Sequence, residues 1–206
     1  MNIDSLIRAV QKELGCGVDG KAGPVTWAAI HRRVCGDGVP GEPPPKLPPG
    51  THQKVDARSE TNIATLHTAV HQYARALVLR AADIGITIKV ISGLRSYAEQ
   101  DALYAKGRTR PGSIVTNARG GYSNHNFGIA FDIGVFRGTS YLAESPQYKA
   151  VGAIGTELGL DWGGNWTSIK DEPHFQLRPK WAAGITEREM LAGLRQRIAA
   201  GTAIYA

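Results

Sequence analysis

Two histidines and three carboxylates in this 206-residue chain have the types and order that a hydrolytic metal centre uses. His125 and Asp132 stand seven residues apart in S-N-H-N-F-G-I-A-F-D-I-G (123–134), and His174 follows in K-D-E-P-H-F-Q-L behind Asp171 and Glu172. A catalytic zinc takes three protein ligands, typically His and carboxylate, and keeps a position open for water. The metal lowers the pKa of that water to about 7, and a nearby carboxylate takes its proton as it attacks a carbonyl. His125, Asp132 and His174 are the candidate ligands of one zinc ion, with Asp171 or Glu172 as the base. No G-x-S-x-G elbow offers a competing nucleophile, and no motif gives either cysteine a histidine partner.

The elements around these residues must bring them together. Ile129, Phe131 and Ile133 alternate with Ala130 and Asp132, the period-two pattern of a half-buried strand, so Asp132 faces away from the core. The odd separation from His125 requires a bend, and Gly128 permits it. Pro173 keeps Glu172 extended, and His174 opens a short strand whose Phe175 and Leu177 face the core, with His174 and Gln176 opposite. Upstream, the apolar stripe Ile63, Leu66, Val70, Tyr73, Ala74, Leu77, Val78 and Ala81 predicts one long helix capped from the S-E-T-N cluster. His67 and His71 stand four apart on it, but Thr68 replaces the Glu of the helical zinc motif H-E-x-x-H, so they read as surface or boundary residues.

A strand I-T-I-K-V-I-S-G then precedes Arg95, which is placed either to reach into a cleft or to lie on the surface, and a short helix runs on through Tyr104. Residues 107–124 read as a loop, and the stretch from Val135 to Pro146 as irregular. Helices follow at Tyr148–Leu158 and after the capping box Thr186 to Glu189.

The N-terminal part differs in kind. Ile3, Leu6, Ile7, Val10 and Leu14 give a helix that Gly15 and Gly17 stop, and a second short helix is expected from Pro24 to Val34. Six of the eleven prolines fall between Pro40 and Pro49, which marks a semi-rigid linker. The expected organisation is a helical module at 1–36, a linker at 37–55 and a main domain at 56–206. Cys16 and Cys35 read as free thiols, too few and too widely spaced for a zinc ribbon.

Composition narrows the classes. No apolar run approaches the ~18 residues of a membrane helix, and the N-terminus lacks the charged and apolar regions of a secretory signal, so synthesis in the cytosol is expected. A net charge of +6 favours anionic partners, yet no basic run with interleaved aromatics marks a nucleic-acid surface.

S-G-L-R-S-Y-A-E-Q, S-x-H-x-x-G-x-A-x-D and D-x-P-H-F, in that order between about residues 57 and 178, resemble the zinc-dependent D,D-peptidases of VanY and VanX type, the M15 peptidases. The resemblance is closest to the L-alanyl-D-glutamate endopeptidases of phage endolysins. It implies an α+β fold, a small, mostly antiparallel sheet with packed helices and zinc on its open face. It implies zinc on His125, Asp132 and His174, and Asp171 rather than Glu172 as the acid/base. Arg95 matches a substrate-side arginine that stabilises an oxyanion or holds a substrate carboxylate, and Ser123 a residue that orients the site. Trp162 and Trp166 match a W-G-G-x-W segment read as packing around the ligand strands, with peptide contact as the alternative, while Leu94 replaces the Tyr of many relatives. The loop V-D-G-K-A-G-P-V-T resembles peptidoglycan-binding modules. The partner implied is bacterial peptidoglycan, the enzyme a monomer released onto the wall at lysis, with a D-alanyl-D-alanine carboxypeptidase or a non-catalytic wall-binding zinc protein as alternatives.

Overall fold

The computed structural model describes residues 2–15, 17–22, 26–27, 30, 52–167 and 170–205. Two compact units divide the chain, Met1–Pro43 and Pro44–Ala206, and the division falls within the proline-rich stretch. Both cysteines lie outside the described residues, as do most of that stretch and much of the second N-terminal helix, of which Thr26, Trp27 and Ile30 are described and helical.

In the first unit, α1 (Ile3–Glu13) starts where the Asn2 side chain accepts from the Asp4 and Ser5 amides. Its one buried side chain is polar. Gln11 donates to Asp19 Oδ1 (2.7 Å), the Lys21 carbonyl (3.0 Å) and Thr26 Oγ1 (2.9 Å), and accepts from the Gly20 amide (2.9 Å). Asp19, Gly20, Lys21 and Thr26 are thus gathered around one amide.

The second unit is α+β. Its strands are β1 (Thr87–Ser92), β2 (Ala130–Arg137), β3 (Ser140–Leu142), β4 (Asp161–Trp162) and β5 (His174–Gln176). They form an antiparallel sheet in the order β1-β2-β5-β4, with β3 paired to β2. Helices α2 (Ala57–Ile63), α3 (Thr68–Asp83) and α5 (Gln147–Glu157) share its core with Phe131, Ile133, Val135 and Phe175. The rings of Phe131 and Phe175 stack at 5.9 Å. Helix α4 (Tyr97–Ala105) carries a Ser96/Glu99 capping box, and α6 (Glu187–Ala199) the expected Thr186/Glu189 box. Met190, Leu191 and Leu194 of α6 bury against Phe127 and Ile129 in a second, smaller core.

Two expectations are corrected. The long helix is two helices: α2 is capped by Asp56, so the S-E-T-N cluster lies inside it, and α3 begins after His67. The break has a cause, because the His67 amide leaves the helical ladder and donates to the Gly128 carbonyl at 2.9 Å. The stretch after Val135 is not irregular either. It completes β2 and turns back as β3, with Phe136 opposite Tyr141 and their rings 5.7 Å apart.

Candidate metal centre

Sheet register sets the first contact. Asp132 is paired directly with His174 and Phe131 with Phe175, so period-two alternation sends the phenyl rings into the core and the two polar side chains to the opposite face. His125 arrives differently. It sits in a 3-10 turn, Asn124–Phe127, closed by Gly128 in the left-handed conformation at φ +66°. A side chain at Gly128 would be strained by that φ, and its Cβ would stand 2.9 Å from the His67 amide nitrogen.

The three side chains meet around one point. His125 Nε2 and His174 Nδ1 each lie 3.2 Å from Asp132 Oδ1, and the three ligand atoms all fall within 4.8 Å of one another. Both imidazoles are buried and Asp132 is half-buried. The far ring nitrogens decide the tautomers: His125 Nδ1 donates to the Gly93 carbonyl at 2.8 Å, and His174 Nε2 to Gln176 Oε1 at 3.0 Å. In their neutral form, as a metal would require, imidazoles held this way direct Nε2 of His125 and Nδ1 of His174 at the shared point as lone pairs. Two such nitrogens and a carboxylate suit zinc. Among the described residues, this trio is the cluster of His, Cys, Asp and Glu able to hold a metal ion.

The electrostatics agree with a charged centre. Burial pushes the Asp132 carboxyl up, but the charge and hydrogen bonds of His125 and His174 outweigh it and hold it well below the usual carboxylate range. Burial pushes His174 down, and the hydrogen bond and charge of Asp132 prevail and raise it. Asp171 moves the other way: burial and then the Asp132 charge raise it, against the pull of His174, His125 and Arg95. A raised carboxylate beside a depressed one is the arrangement of a proton carrier next to a ligand.

Asp171 lines the same cleft of about 1070 Å³ as the trio, Arg95, Ser123 and Trp166, whereas Glu172 does not. Glu172 gives its carbonyl to Trp162 Nε1 at 2.8 Å instead. Asp171 is brought in by close backbone approach, its amide donating to the Gly163 carbonyl at 3.1 Å; a Cβ on Gly163 would stand 2.4 Å from the Asp171 carbonyl oxygen. Arg95 stands at the rim, 3.6 Å from Asp132 Oδ2, and donates to Gln100 Oε1 (2.8 Å) and Ser92 Oγ (3.2 Å). The two tryptophans part ways: Trp162 packs against the core, and Trp166 faces the cleft with its ring 4.9 Å from His174. Leu94 is exposed.

A family model described as D-alanyl-D-alanine carboxypeptidase matches residues 116–177. Over 124 residues the chain is 40% identical to the peptidoglycan L-alanyl-D-glutamate endopeptidase CwlK of Bacillus subtilis (strain 168), across 55% of this chain and 74% of that protein. The chain belongs to the M15 peptidase family. Among solved structures, the L-Ala D-Glu endopeptidase ChiX of Serratia marcescens is similar at a TM-score of 0.45 and 29% identity, over 60% of this chain and 88% of that one. The vancomycin-resistance D,D-pentapeptidase VanY, solved with Zn(II), follows at a TM-score of 0.44 and 16% identity, over 68% and 81%.

Sequence reasoning missed the residues that brace this M15 site. Buried Gln100 holds Arg95, donating in turn to the Ala118 carbonyl at 2.8 Å. Asn126 ties the two halves of the site together: its Nδ2 donates to the Arg95 carbonyl (2.8 Å), and its Oδ1 accepts from the Gly121 amide (2.9 Å). Asn124, Gln176 and Glu187 form a further network behind His174. Of these, Gln176 carried a signal in its alternation with His174, and Gln100 in closing the S-G-L-R-S-Y-A-E-Q motif. The others are joined to the site by contacts that no local spacing encodes.

Proposed function

We propose that this M15 peptidase hydrolyses the stem peptide of bacterial peptidoglycan between L-Ala and D-Glu, as a zinc-dependent, phage-type endolysin. The observation that carries the reading is the convergence of His125, Asp132 and His174 with Asp171 and Arg95 in one cleft. The 40% identity to an L-alanyl-D-glutamate endopeptidase supports the choice of bond.

His125, Asp132 and His174 would hold the zinc, whose chemistry is to polarise a carbonyl and acidify water. The chain's own residues do the rest. Asp171, its carboxyl raised by burial and by Asp132, takes the proton of the attacking water and returns it to the leaving amine. Arg95 offers its guanidinium to the developing oxyanion or to a substrate carboxylate, held in place by Gln100 and Ser92. Trp166 covers the ring of His174 and, with Ser123, narrows the cleft around the peptide. The N-terminal module would hold the wall and the proline-rich stretch would give reach, in a monomer acting after membrane permeabilisation. Among the described residues no helix is long and apolar enough to cross a membrane.

A second reading, D-alanyl-D-alanine carboxypeptidase, has the family model's own description in its favour. Mass spectrometry of digested peptidoglycan separates the two. The endopeptidase leaves a new amino-terminal D-Glu; loss of terminal D-Ala alone, with the L-Ala–D-Glu bond intact, would overturn it.

A further inference from the structure

Behind the metal-binding face runs a buried polar chain that the hydrolytic step does not use. His174 Nε2 donates to Gln176 Oε1, which leaves the lone pair of the neutral ring on Nδ1, the atom facing Asp132. The amide of glutamine has nearly the same shape when turned by 180°. Turned, Gln176 would present its NH2 to His174, Nε2 would become the acceptor, and the proton would move to Nδ1, where it blocks a metal.

The neighbours of Gln176 decide between these orientations. Its Nε2 donates to Asp161 Oδ2 (3.3 Å) and Glu187 Oε2 (3.5 Å), while its Oε1 accepts from Asn124 Nδ2 (2.5 Å). Asn124 is itself oriented, because its Nδ2 also donates to Glu187 Oε1. Arg178 bridges the two carboxylates, with Nε 2.9 Å from Asp161 Oδ2 and Nη2 2.8 Å from Glu187 Oε2. Gln176 is 1% exposed and Asn124 5%, so solvent cannot stand in for these partners.

We infer that Gln176, oriented by Asn124, Glu187 and Asp161, is a positioning residue that selects the metal-binding tautomer of His174. The inference rests on the zinc reading above. Its reach extends to α6, because Glu187 opens that helix and so links its start to a ligand 13 residues upstream in the chain.

The test measures zinc affinity by chelator competition and the His174 tautomer by nitrogen-15 NMR, in the full chain and in Gln176→Leu, Gln176→Glu and Glu187→Gln. Gln176→Leu is expected to weaken zinc binding about 10- to 100-fold and to admit the Nδ1–H tautomer. Gln176→Glu keeps an acceptor at Nε2 and is expected to keep the Nε2–H tautomer of His174, while the oxygen it sets against the Asp161 and Glu187 carboxylates lowers the Tm. A parent that binds zinc and a Gln176→Leu variant that binds within about twofold of it would overturn the positioning role alone. A parent that binds no zinc overturns the metal reading with it. If Gln176→Leu fails to fold, Glu187→Gln decides: mixed tautomers with weaker zinc binding uphold the role, and an unchanged tautomer and affinity sink it.

Discussion

Two histidine pairs stand in two regions of this chain, and among the described residues only one belongs to a cluster that could hold a metal ion. His67 and His71, four residues apart at the start of α3, have the spacing that can put two imidazoles on one ion. The fold uses each locally: His67 Nδ1 accepts from the Ala69 amide as the cap of α3, its ring 4.8 Å from Tyr205, and His71 Nε2 meets the Leu66 carbonyl at 3.0 Å. His125 and His174, 49 residues apart, have their rings 5.1 Å from each other with a carboxylate between them. Spacing on one helix brings rings near; a site also needs lone pairs aimed at one point, fixed there by acceptors at the far ring nitrogens, and a charge to share.

The comparison breaks most sharply at Asp132. Asp132→Ala is expected to abolish zinc binding and to lower activity at least about 10³-fold, the scale of losing electrostatic stabilisation at a reacting carbonyl, measured by metal analysis and muropeptide hydrolysis. Next in size is Asp171→Ala, which should lower turnover about 10²- to 10⁴-fold while keeping zinc, since in the proposed mechanism the carboxylate carries protons and does not hold the metal. Loss of zinc in that variant would move Asp171 into the ligand set.

Much of this was legible in the sequence, for a definable reason. Period-two alternation places Asp132 and His174 on the face opposite Phe131 and Phe175, whatever the partner strand. Gly128 could be named as the bend because few other residues tolerate its left-handed φ. The break between α2 and α3 could not be read, because the apolar stripe runs straight through it and its cause is the distant Gly128 carbonyl. The β3 hairpin escaped for a similar reason: two of its three residues are exposed, so no apolar run marks it. The choice of Asp171 over Glu172 needed the family motif, and the structure adds the physical difference, one carboxylate in the cleft and the other outside it.

Smaller effects sharpen the contrast. Gly128 touches both regions, since its carbonyl accepts from His67 and its turn delivers His125. Gly128→Val should therefore weaken zinc binding and lower the Tm together; full zinc occupancy in a folded variant would refute that link. In the helical region an ion pair joins α2 to α3, with Arg75 bidentate on Glu60 at 2.9 and 2.7 Å. Arg75 holds the Glu60 carboxyl at about 2 against an ordinary 4.5, so this contribution to stability is fully present above pH 4.5 and is lost as pH falls through about 2. Arg75→Met should lower the Tm at neutral pH, and the gap from the parent should close near pH 2; a gap independent of pH would assign the effect to packing. Smallest of all, His71→Ala should cost about 1 kcal/mol of stability, one hydrogen bond, and leave zinc affinity unchanged.

Zinc content tests the central claim most directly. Inductively coupled plasma mass spectrometry of purified, folded protein should find about one zinc per chain in the parent and in the His67→Ala/His71→Ala double variant, and essentially none in His125→Ala/His174→Ala. Zinc retained in the latter, or lost from the former, would contradict the account.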